Sequence, residues 1–255
     1  MTLKMTFLGS GSAFTVGAEN FQSNILFEIE QDTMLIDAGT DIRHALRLEG
    51  RNYLDIKSVY LSHLHGDHTG GLEWLALTSY FDPNYKDKPK LFTSVTLVND
   101  LWNKSLSAGL STLENMPATL ATFFDVHPIA KGQGFTWHGI DFNLVQTVHF
   151  FSDHELMPSY GLLFTYNKQR VFFSSDTQFT PDKLMPFYEE ADIIFHDCET
   201  MLFKSSVHAH YTELVGLPAA IKKKMWLYHY NPGTLPDAVK DGFCGFVVRG
   251  QCFTF

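Results

Sequence analysis

The chain has 255 residues, of which 45% are hydrophobic and only 18% charged, so it carries enough apolar side chain for one large core and is not a disordered chain. A formal net charge of −9 argues against a long polyanion such as tRNA or DNA as the main ligand, although bound cations would make one pocket locally positive for a small anion. The three cysteines, Cys198, Cys244 and Cys252, are odd in number and widely spaced, which speaks against a disulfide framework and fits a reducing cytoplasm.

Residues 5–8 read as a first strand, ended by Gly9-Ser10-Gly11-Ser12. With no following Lys-Ser/Thr and no helix to open, this segment reads as a tight β-turn rather than a phosphate loop. Lys4 interrupts the first apolar run, so no signal-peptide pattern is seen, and no window reaches the roughly 18 apolar residues of a membrane span. Residues 24–28 and 33–36 read as the next two strands, joined by a polar turn at Gln31-Asp32. Asp37-Ala38-Gly39 follows, then a helix over 41–48 with Asp41 as N-cap and Ile42, Ala45 and Leu46 at helical spacing.

The apolar strand 59–61 runs into Ser62-His63-Leu64-His65-Gly66-Asp67-His68-Thr69-Gly70-Gly71. Three imidazoles and a carboxylate fall within six positions here, which no buried core accepts without partners. Alternation places His63 and His65 on one side of the backbone, and Asp67 and His68 fall where the chain leaves the strand. Neutral imidazole nitrogens and carboxylate oxygens are the donors of Zn²⁺ and similar borderline ions. Two pairs, His63/His65 and Asp67/His68, point to two adjacent metals rather than one. The competing reading is a solvated polar turn with incidental histidines.

Gly70-Gly71 lets the backbone turn closely, and 72–80 reads as a helix. A strand over 90–93 and a helix over 95–106 come next. Residues 109–121 show no clear pattern and fit a loop over a pocket or a contact with another subunit. Residues 123–126 and 141–145 read as strands; His127 and His138 near them have no evident partner and read as surface or structural residues. Residues 162–166 and 170–173 form a hairpin around Asn167-Lys168-Gln169, leading to Ser174-Ser175-Asp176-Thr177. A strand over 191–199 ends in polar residues, another over 225–232 has His229 near its end, and 244–248 and 251–255 read as closing strands. Two strand-rich halves with helices outside predict an α/β chain folded as a four-layer αββα sandwich, one domain over residues 1–255, with the site at one edge.

The pattern His-x-His-x-Asp-His resembles the signature of the metallo-β-lactamase superfamily. The resemblance implies that His149 completes a first metal's set with His63 and His65, and that His229 completes a second with Asp67 and His68. Asp176 then bridges the two metals, since one anion ligating both ions offsets their repulsion. Asp37 is implied to orient a ligand from beneath the site. Residues 191–199 are similar to the segment carrying a His-Glu-Ala-Thr element in the tRNA 3′-processing nucleases of this superfamily, with Asp197 in place of the Glu. Val207-His208-Ala209-His210-Tyr211-Thr212 is similar to their Gly-His-Ser-Thr element. His208 is thus the residue expected to protonate the leaving oxygen, with Asp197 as its orienting carboxylate and His210 as the alternative.

The same ligands serve lactonases, glyoxalase-type thioesterases and β-lactamases, but the elements around Asp176, Asp197 and His208 point to the phosphodiesterase branch. The tRNA nucleases insert a long Gly/Pro-rich arm between the His and Asp ligands, whereas here 26 residues separate His149 from Asp176 and most belong to the hairpin. The runs Ser62-His63-Leu64-His65, Tyr80-Phe81-Asp82-Pro83, Gln146-Thr147-Val148-His149, Asp197-Cys198-Glu199 and Lys222-Lys223-Lys224-Met225-Trp226-Leu227 look like those of the anti-Pycsar phosphodiesterases.

That family implies a metal-dependent hydrolase of 3′,5′-cyclic nucleotides, including the cyclic pyrimidine nucleotides used as antiviral signals. It further implies two divalent cations, Zn²⁺ or else Mn²⁺, a homodimer, and a cytoplasmic location in a bacterial or infected cell. No membrane and no long nucleic acid is expected as partner. Asp67 is expected to orient the attacking hydroxide while ligating metal, and Phe81, Tyr160 and Tyr230 are the candidates for base stacking. An RNA-processing endonuclease would need a basic exosite, and a thioester or lactone hydrolase would have no use for the Asp197/His208 pair; these are the alternatives.

Overall fold

The computed structural model describes residues 2–17, 19–114, 116–152 and 155–255. The chain opens with the antiparallel strands β1 (Leu3–Phe7), β2 (Ile25–Ile29) and β3 (Asp32–Ile36), then helix α1 (Ile42–Leu48). Strand β4 (Ser58–Leu61) leads to the one-turn helix α2 (Gly66–Thr69), helix α3 (Leu72–Phe81) and β5 (Lys90–Ser94). Helix α4 (Val95–Asp100) passes into a π-helical stretch, Leu101–Leu106, and α5 (Ser107–Leu110). A small hairpin of β6 (Thr112–Leu113) and β7 (Met116–Pro117) precedes α6 (Leu120–Phe123) and β8 (Asp125–Ile129).

The second half begins with β9 (Gly134–Trp137), β10 (Ile140–Ser152), β11 (Glu155–Tyr166) and β12 (Gln169–Phe173). It continues with α7 (Pro181–Glu190), β13 (Ile193–Asp197), α8 (Tyr211–Leu214), α9 (Ala219–Lys222), β14 (Met225–Tyr228), β15 (Gly245–Phe246) and β16 (Cys252–Thr254).

The strands form two seven-stranded sheets, ordered β16-β1-β2-β3-β4-β5-β8 and β15-β14-β13-β12-β11-β10-β9. Each is antiparallel up to its central strand, β3 or β12, and parallel beyond it. Period-two alternation decides which side chains meet where. Leu3, Met5 and Phe7 of β1 and Ile25, Phe27 and Ile29 of β2 face the other sheet, against Phe142, Leu162, Phe164, Phe195 and Tyr228. Aromatic rings lock the two sheets together: Phe7 lies 5.3 Å from Phe195 and Phe27 5.6 Å from Phe164, centroid to centroid. Full burial of each such ring is worth about 1.5–3 kcal/mol.

On the outer face of the first sheet, Leu26, Leu35, Val59 and Leu61 pack on Ile42 and Leu46 of α1 and Leu72 and Leu75 of α3. Leu163, Phe172, Ile194 and Leu227 of the second sheet pack on Leu184 and Tyr188 of α7, Leu214 of α8 and Ile221 of α9. The result is the four-layer αββα sandwich expected from the sequence. Among the described residues, no helix is long and apolar enough to cross a membrane.

Several elements differ from the sequence reading, each for a physical reason. Asp41 precedes α1 but makes no side-chain cap; its Oδ2 instead accepts from the Gln22 backbone N–H at 2.8 Å, tying the β1–β2 connection to α1. Phe123 belongs to α6, so the strand begins only at Asp125. Residues 109–121 contain the end of α5, the small hairpin and the start of α6, with Leu110, Ala118 and Leu120 buried against the first half's helices. The hairpin turn is the two residues Asn167-Lys168, both with positive φ (47° and 67°), the geometry that matches strand twist.

Gly9-Ser10-Gly11-Ser12 is not an isolated β-turn. Gly11 bridges Gln22 and Tyr230, and a Cβ at Gly9 would sit 2.3 Å from the Gln22 carbonyl oxygen. The strand expected over 141–145 runs on as the long β10, and His149 lies inside it, at a register shift between Val148 and Phe150. Such a bulge turns a side chain out of strict alternation, and here it releases His149 towards the sheet edge.

The parallel strands of both sheets deliver their ends to one edge. Asp37 follows β3, residues 62–68 follow β4, Asp176 follows β12, Asp197 closes β13 and His229 follows β14. In open parallel sheets, ligands bind outside these carboxyl ends.

Candidate metal centre

The motif after β4 is held from below by Asp37. This residue takes a left-handed conformation (φ 64°), and its Oδ1 accepts from the Ser62 backbone N–H at 2.8 Å. Its Oδ2 accepts from the Ser62 hydroxyl at 2.7 Å and from His68 Nδ1 at 2.7 Å. With Nδ1 so engaged, His68 presents Nε2 inward as a lone pair. Ser62 repeats the arrangement one residue on, since its Oγ lies 3.0 Å from His63 Nδ1. The loop beneath is tight: the Ala38 N–H donates to the His68 carbonyl at 2.8 Å, and a Cβ at Gly39 would lie 2.2 Å from the Asp67 carbonyl oxygen. Gly71 likewise packs its Cα on the Gly39 and Ala38 carbonyls, where a Cβ would meet oxygen at 2.5 and 3.1 Å.

From the second sheet come His149, Asp176 and His229. His149 donates Nδ1–H to the Val207 carbonyl at 2.8 Å, leaving Nε2 to face His65 Nδ1 at 2.9 Å. His229 also has positive φ (63°), and its backbone N–H is fixed by the Ser10 carbonyl at 2.7 Å, which is what the glycine-rich segment is for. Asp176 sits between all of them, 1% exposed. Its Oδ2 lies 3.3 Å from His68 Nε2, 3.4 Å from His229 Nε2, 3.7 Å from His63 Nε2 and 3.8 Å from His149 Nε2. Asp67 Oδ2 is 3.2 Å from His229 Nε2 and 3.3 Å from His68 Nε2.

Three donor groups converge, each with its ligand atoms within 4.8 Å of one another: the two expected sets, His63/His65/His149/Asp176 and Asp67/His68/Asp176/His229, and a third, Asp176/Asp197/His208/His229, that shares Asp176 and His229 with the second. Both Asp176 oxygens, His63 Nε2 and His68 Nε2 are buried without a hydrogen-bond partner among the described residues. Buried polar atoms without partners cost about 1–3 kcal/mol each, more when charged. Lone pairs converging this way fit two divalent cations with Asp176 common to both expected sets, and imidazole with carboxylate is the donor chemistry zinc takes.

The electrostatics divide the set: burial acts to lower His68 and His229, but the carboxylates around them, Asp176 first, outweigh it and push both well up, favouring positive charge there that bound cations would replace. Burial pushes the His63 imidazole well down and His149 down to about 4, so both are held as neutral ligands. Burial acts to raise Asp176, but His229 and His68 outweigh it and hold the carboxyl well below its usual range.

His208 stands outside both expected sets. Its Nδ1 lies 2.8 Å from Asp197 Oδ2, and its ring stacks on His229 with centroids 4.7 Å apart. Burial acts to lower its pKa, but the Asp197 carboxylate outweighs burial and raises it, favouring the imidazolium. Asp197 does more than the sequence reading gave it: Oδ2 also accepts from the Thr177 N–H at 2.8 Å, and Oδ1 faces His229 Nδ1 at 3.4 Å. At 3.4 Å the contact with His229 is electrostatic, weaker than the 2.7 Å hydrogen bond by which Asp37 holds His68.

His210, the alternative proton donor, is turned away. Its Nδ1 caps α8 through Thr212, and its Nε2 lies 2.9 Å from the Met201 carbonyl.

The three stacking candidates are placed elsewhere. Tyr160 is buried with its hydroxyl 2.9 Å from Thr96 Oγ1, Tyr230 is held against Ser10 at 2.9 Å, and Phe81 is exposed beside Tyr80 at the end of α3. His127 and His138 pair with Asp125 and Asp32 on the surface. Sequence reasoning missed Ser62, Thr177 and the buried His196, whose Nδ1 donates to the Asp197 carbonyl at 2.6 Å and whose Nε2 meets Tyr188 Oη at 2.6 Å. A histidine directly before Asp197, at the end of an apolar strand, was the one available signal.

This arrangement on two such sheets is the metallo-β-lactamase fold: the metallo-β-lactamase fold protein YhfI from Bacillus subtilis superposes with a TM-score of 0.75 over 100% of this chain and 99% of its own, at 18% identity. Sequence narrows the class. The family model for anti-Pycsar protein Apyc1 matches residues 3–253. The anti-Pycsar protein Apyc1 of Paenibacillus harenae is 36% identical over 226 residues, 88% of each chain, and that of Paenibacillus sp. (strain J14) is 33% identical over 100% of both. The chain belongs to the anti-Pycsar Apyc1 family.

Because Asp176 is common to both expected sets, Asp176→Ala should strip both cations, whereas His68→Ala should spare the group of His63, His65 and His149. Elemental analysis of the purified variants reads this directly. An Asp176→Ala protein that keeps its full metal content would show that the carboxylate is not shared.

Proposed function

We propose that this chain is a metal-dependent phosphodiesterase that hydrolyses 3′,5′-cyclic mononucleotides, cyclic pyrimidine nucleotides among them, to nucleoside monophosphates, and so disarms a cyclic-nucleotide antiviral signal. The observation that carries the reading is a pair of buried donor groups meeting at Asp176, with a carboxylate-backed histidine, His208, outside both. Family membership supports the same activity. The chain's own features restrict the substrate to a small anion: a net charge of −9, and a cavity of about 430 Å³ opening onto His63, His65 and His149.

Zn²⁺ is the ion this donor chemistry favours, with Mn²⁺ as the alternative. His63, His65 and His149 would hold one cation, Asp67, His68 and His229 the other, and Asp176 both. Divalent cations so held neutralise charge on phosphoryl oxygens and bring the pKa of a water down to near neutrality.

The remaining work falls to side chains. Asp67, whose Oδ2 lies beside His68 and His229, would accept a hydrogen bond from the attacking water and fix its approach. Water gives up one proton to solvent, its oxygen adds to phosphorus and the bond from phosphorus to the ribose oxygen breaks; His208 regains its proton from solvent afterwards. An alkoxide is a poor leaving group, so the proton on His208 Nε2 passes to that oxygen. Asp197 holds the Nδ1–H of the same ring, which fixes the tautomer and stabilises the imidazolium until the proton is spent. The protein is expected to act in the cytoplasm as a homodimer, with no membrane and no long nucleic acid as partner.

The direct test offers the purified protein cyclic mononucleotides and precursor tRNA at physiological salt. Cleavage of the former and none of the latter is expected; efficient release of a tRNA 3′ trailer would overturn the reading in favour of an RNA-processing nuclease.

A second test isolates proton delivery. His208→Ala should keep both cations yet slow cleavage of a cyclic nucleotide by about 10²–10⁴-fold, with a much smaller loss for a nitrophenyl phosphodiester whose leaving group needs no proton. Asp197→Asn should differ, because Asp197 also faces His229 Nδ1: it should weaken metal retention as well as turnover. Equal slowing of both substrates by His208→Ala would remove His208 from the proton-donor role.

A further inference from the structure

The cavity of about 430 Å³ beside the first donor group is within the range of about 300–1,000 Å³ that small-molecule sites occupy. Beyond the histidines and Leu64 between them, its wall comes from α4, the π-helical stretch after it and β11. Leu97 of α4 and Leu156, Met157 and Pro158 of β11 give it an apolar side against which a flat aromatic base can lie. Three polar side chains interrupt that lining: Thr96, Asp100 and Lys104. The Thr96 hydroxyl is already engaged, 2.9 Å from both Ser94 Oγ and Tyr160 Oη, and belongs to the wall.

Asp100 and Lys104 are different. Asp100 Oδ2 and Lys104 Nζ meet at 2.7 Å one helical turn apart, with side chains 37% and 73% exposed. A pair this exposed is held weakly, so either member releases the other at little cost when a ligand group arrives. Between them the chain enters the π-helical stretch Leu101–Leu106, a departure from α-helical register that is frequent at functional sites. A carboxylate at the mouth of a cavity for a phosphate-bearing ligand repels the phosphate. Since the donor groups draw the phosphate to the histidine side, Asp100 faces the other end of the ligand, the base.

Bases differ there in one respect. At C4 of a pyrimidine or C6 of a purine, cytosine and adenine carry an exocyclic amine that donates, and uracil and guanine carry a carbonyl oxygen that accepts. We propose that Asp100 and Lys104 form the base-reading edge of this site, Asp100 accepting from the amine of cytosine or adenine and Lys104 donating to the carbonyl oxygen of uracil or guanine. The proposal rests on the cyclic-nucleotide reading above and explains how one site would accept both pyrimidines.

Steady-state kinetics on the four 3′,5′-cyclic nucleotides, with the wild-type chain, Asp100→Ala and Lys104→Met, test it. Hydrogen bonds to charged groups are worth about 1.5–3 kcal/mol, so Asp100→Ala should raise KM at least about tenfold for the cytosine and adenine nucleotides and less than about twofold for the other two. Lys104→Met should show the reverse preference. A merely structural role, or a contact with the phosphate, would move all four substrates together, and that result, or no change at all, overturns the base-reading assignment while leaving the activity standing. A wild-type protein that turns over none of the four refutes the cyclic-nucleotide reading, and this proposal falls with it.

Discussion

The structure depends on an unfavourable juxtaposition. Five imidazoles and two carboxylates are driven into one buried edge, and several of their polar atoms find no hydrogen-bond partner among the described residues. Left alone, such a cluster would be relieved by solvation or by swinging side chains apart. Three features prevent this. Asp37 holds the far nitrogen of His68 by a hydrogen bond while the Ser10 carbonyl fixes the His229 backbone with Asp197 facing its ring, Ser62 and the Val207 carbonyl hold the far nitrogens of His63 and His149, and Asp176 offers negative charge to all four rings. The donors are therefore preorganised, and what compensates them is positive charge at the centre. Fold stability and metal affinity are coupled here, because cations that bind only the folded state add to its stability by mass action.

The two sheets explain how one edge acquires so many ligands. Each has the same plan, and each carries an Asp just past its central strand: Asp37 after β3 and Asp176 after β12. The next parallel strand in each sheet adds the following functional group, residues 62–68 after β4 and Asp197 at the end of β13. The aromatic layer between the sheets fixes their relative position, so a ligand from one sheet meets a ligand from the other within 4 Å. Rigid strand ends hold most of the donors, which suits groups that need tight placement, while His208 comes from the connection between β13 and α8 and is held by Asp197.

Much of this was legible in the sequence, and what was not has physical causes. Strands such as 25–29 and 58–61 are short, strongly apolar and bounded by turns, so their existence was plain. The contiguous motif from His63 to His68 announced a metal site by composition alone. His149 was harder, because its exit from the strand pattern depends on a bulge that leaves no mark in the sequence. Asp41 fits the preferences for an N-cap, yet tertiary structure uses its carboxylate to hold the Gln22 backbone instead. Phe81, Tyr160 and Tyr230 were offered as stacking residues because aromatic side chains are suited to it, but hydroxyl partners hold Tyr160 and Tyr230 in place and Phe81 ends α3 on the surface, and neither can be read from residue type. The second contact of Asp197, on His229, arises from two strands that are neighbours only in the folded sheet.

The central claim is that two cations share Asp176 and that both are needed. Titrating Zn²⁺ into metal-stripped wild-type protein while following turnover of a cyclic nucleotide tests it most directly. The account predicts uptake of two equivalents per chain, with turnover rising only as the second is bound. Full turnover at one bound equivalent, with no further gain on addition of metal, would contradict it.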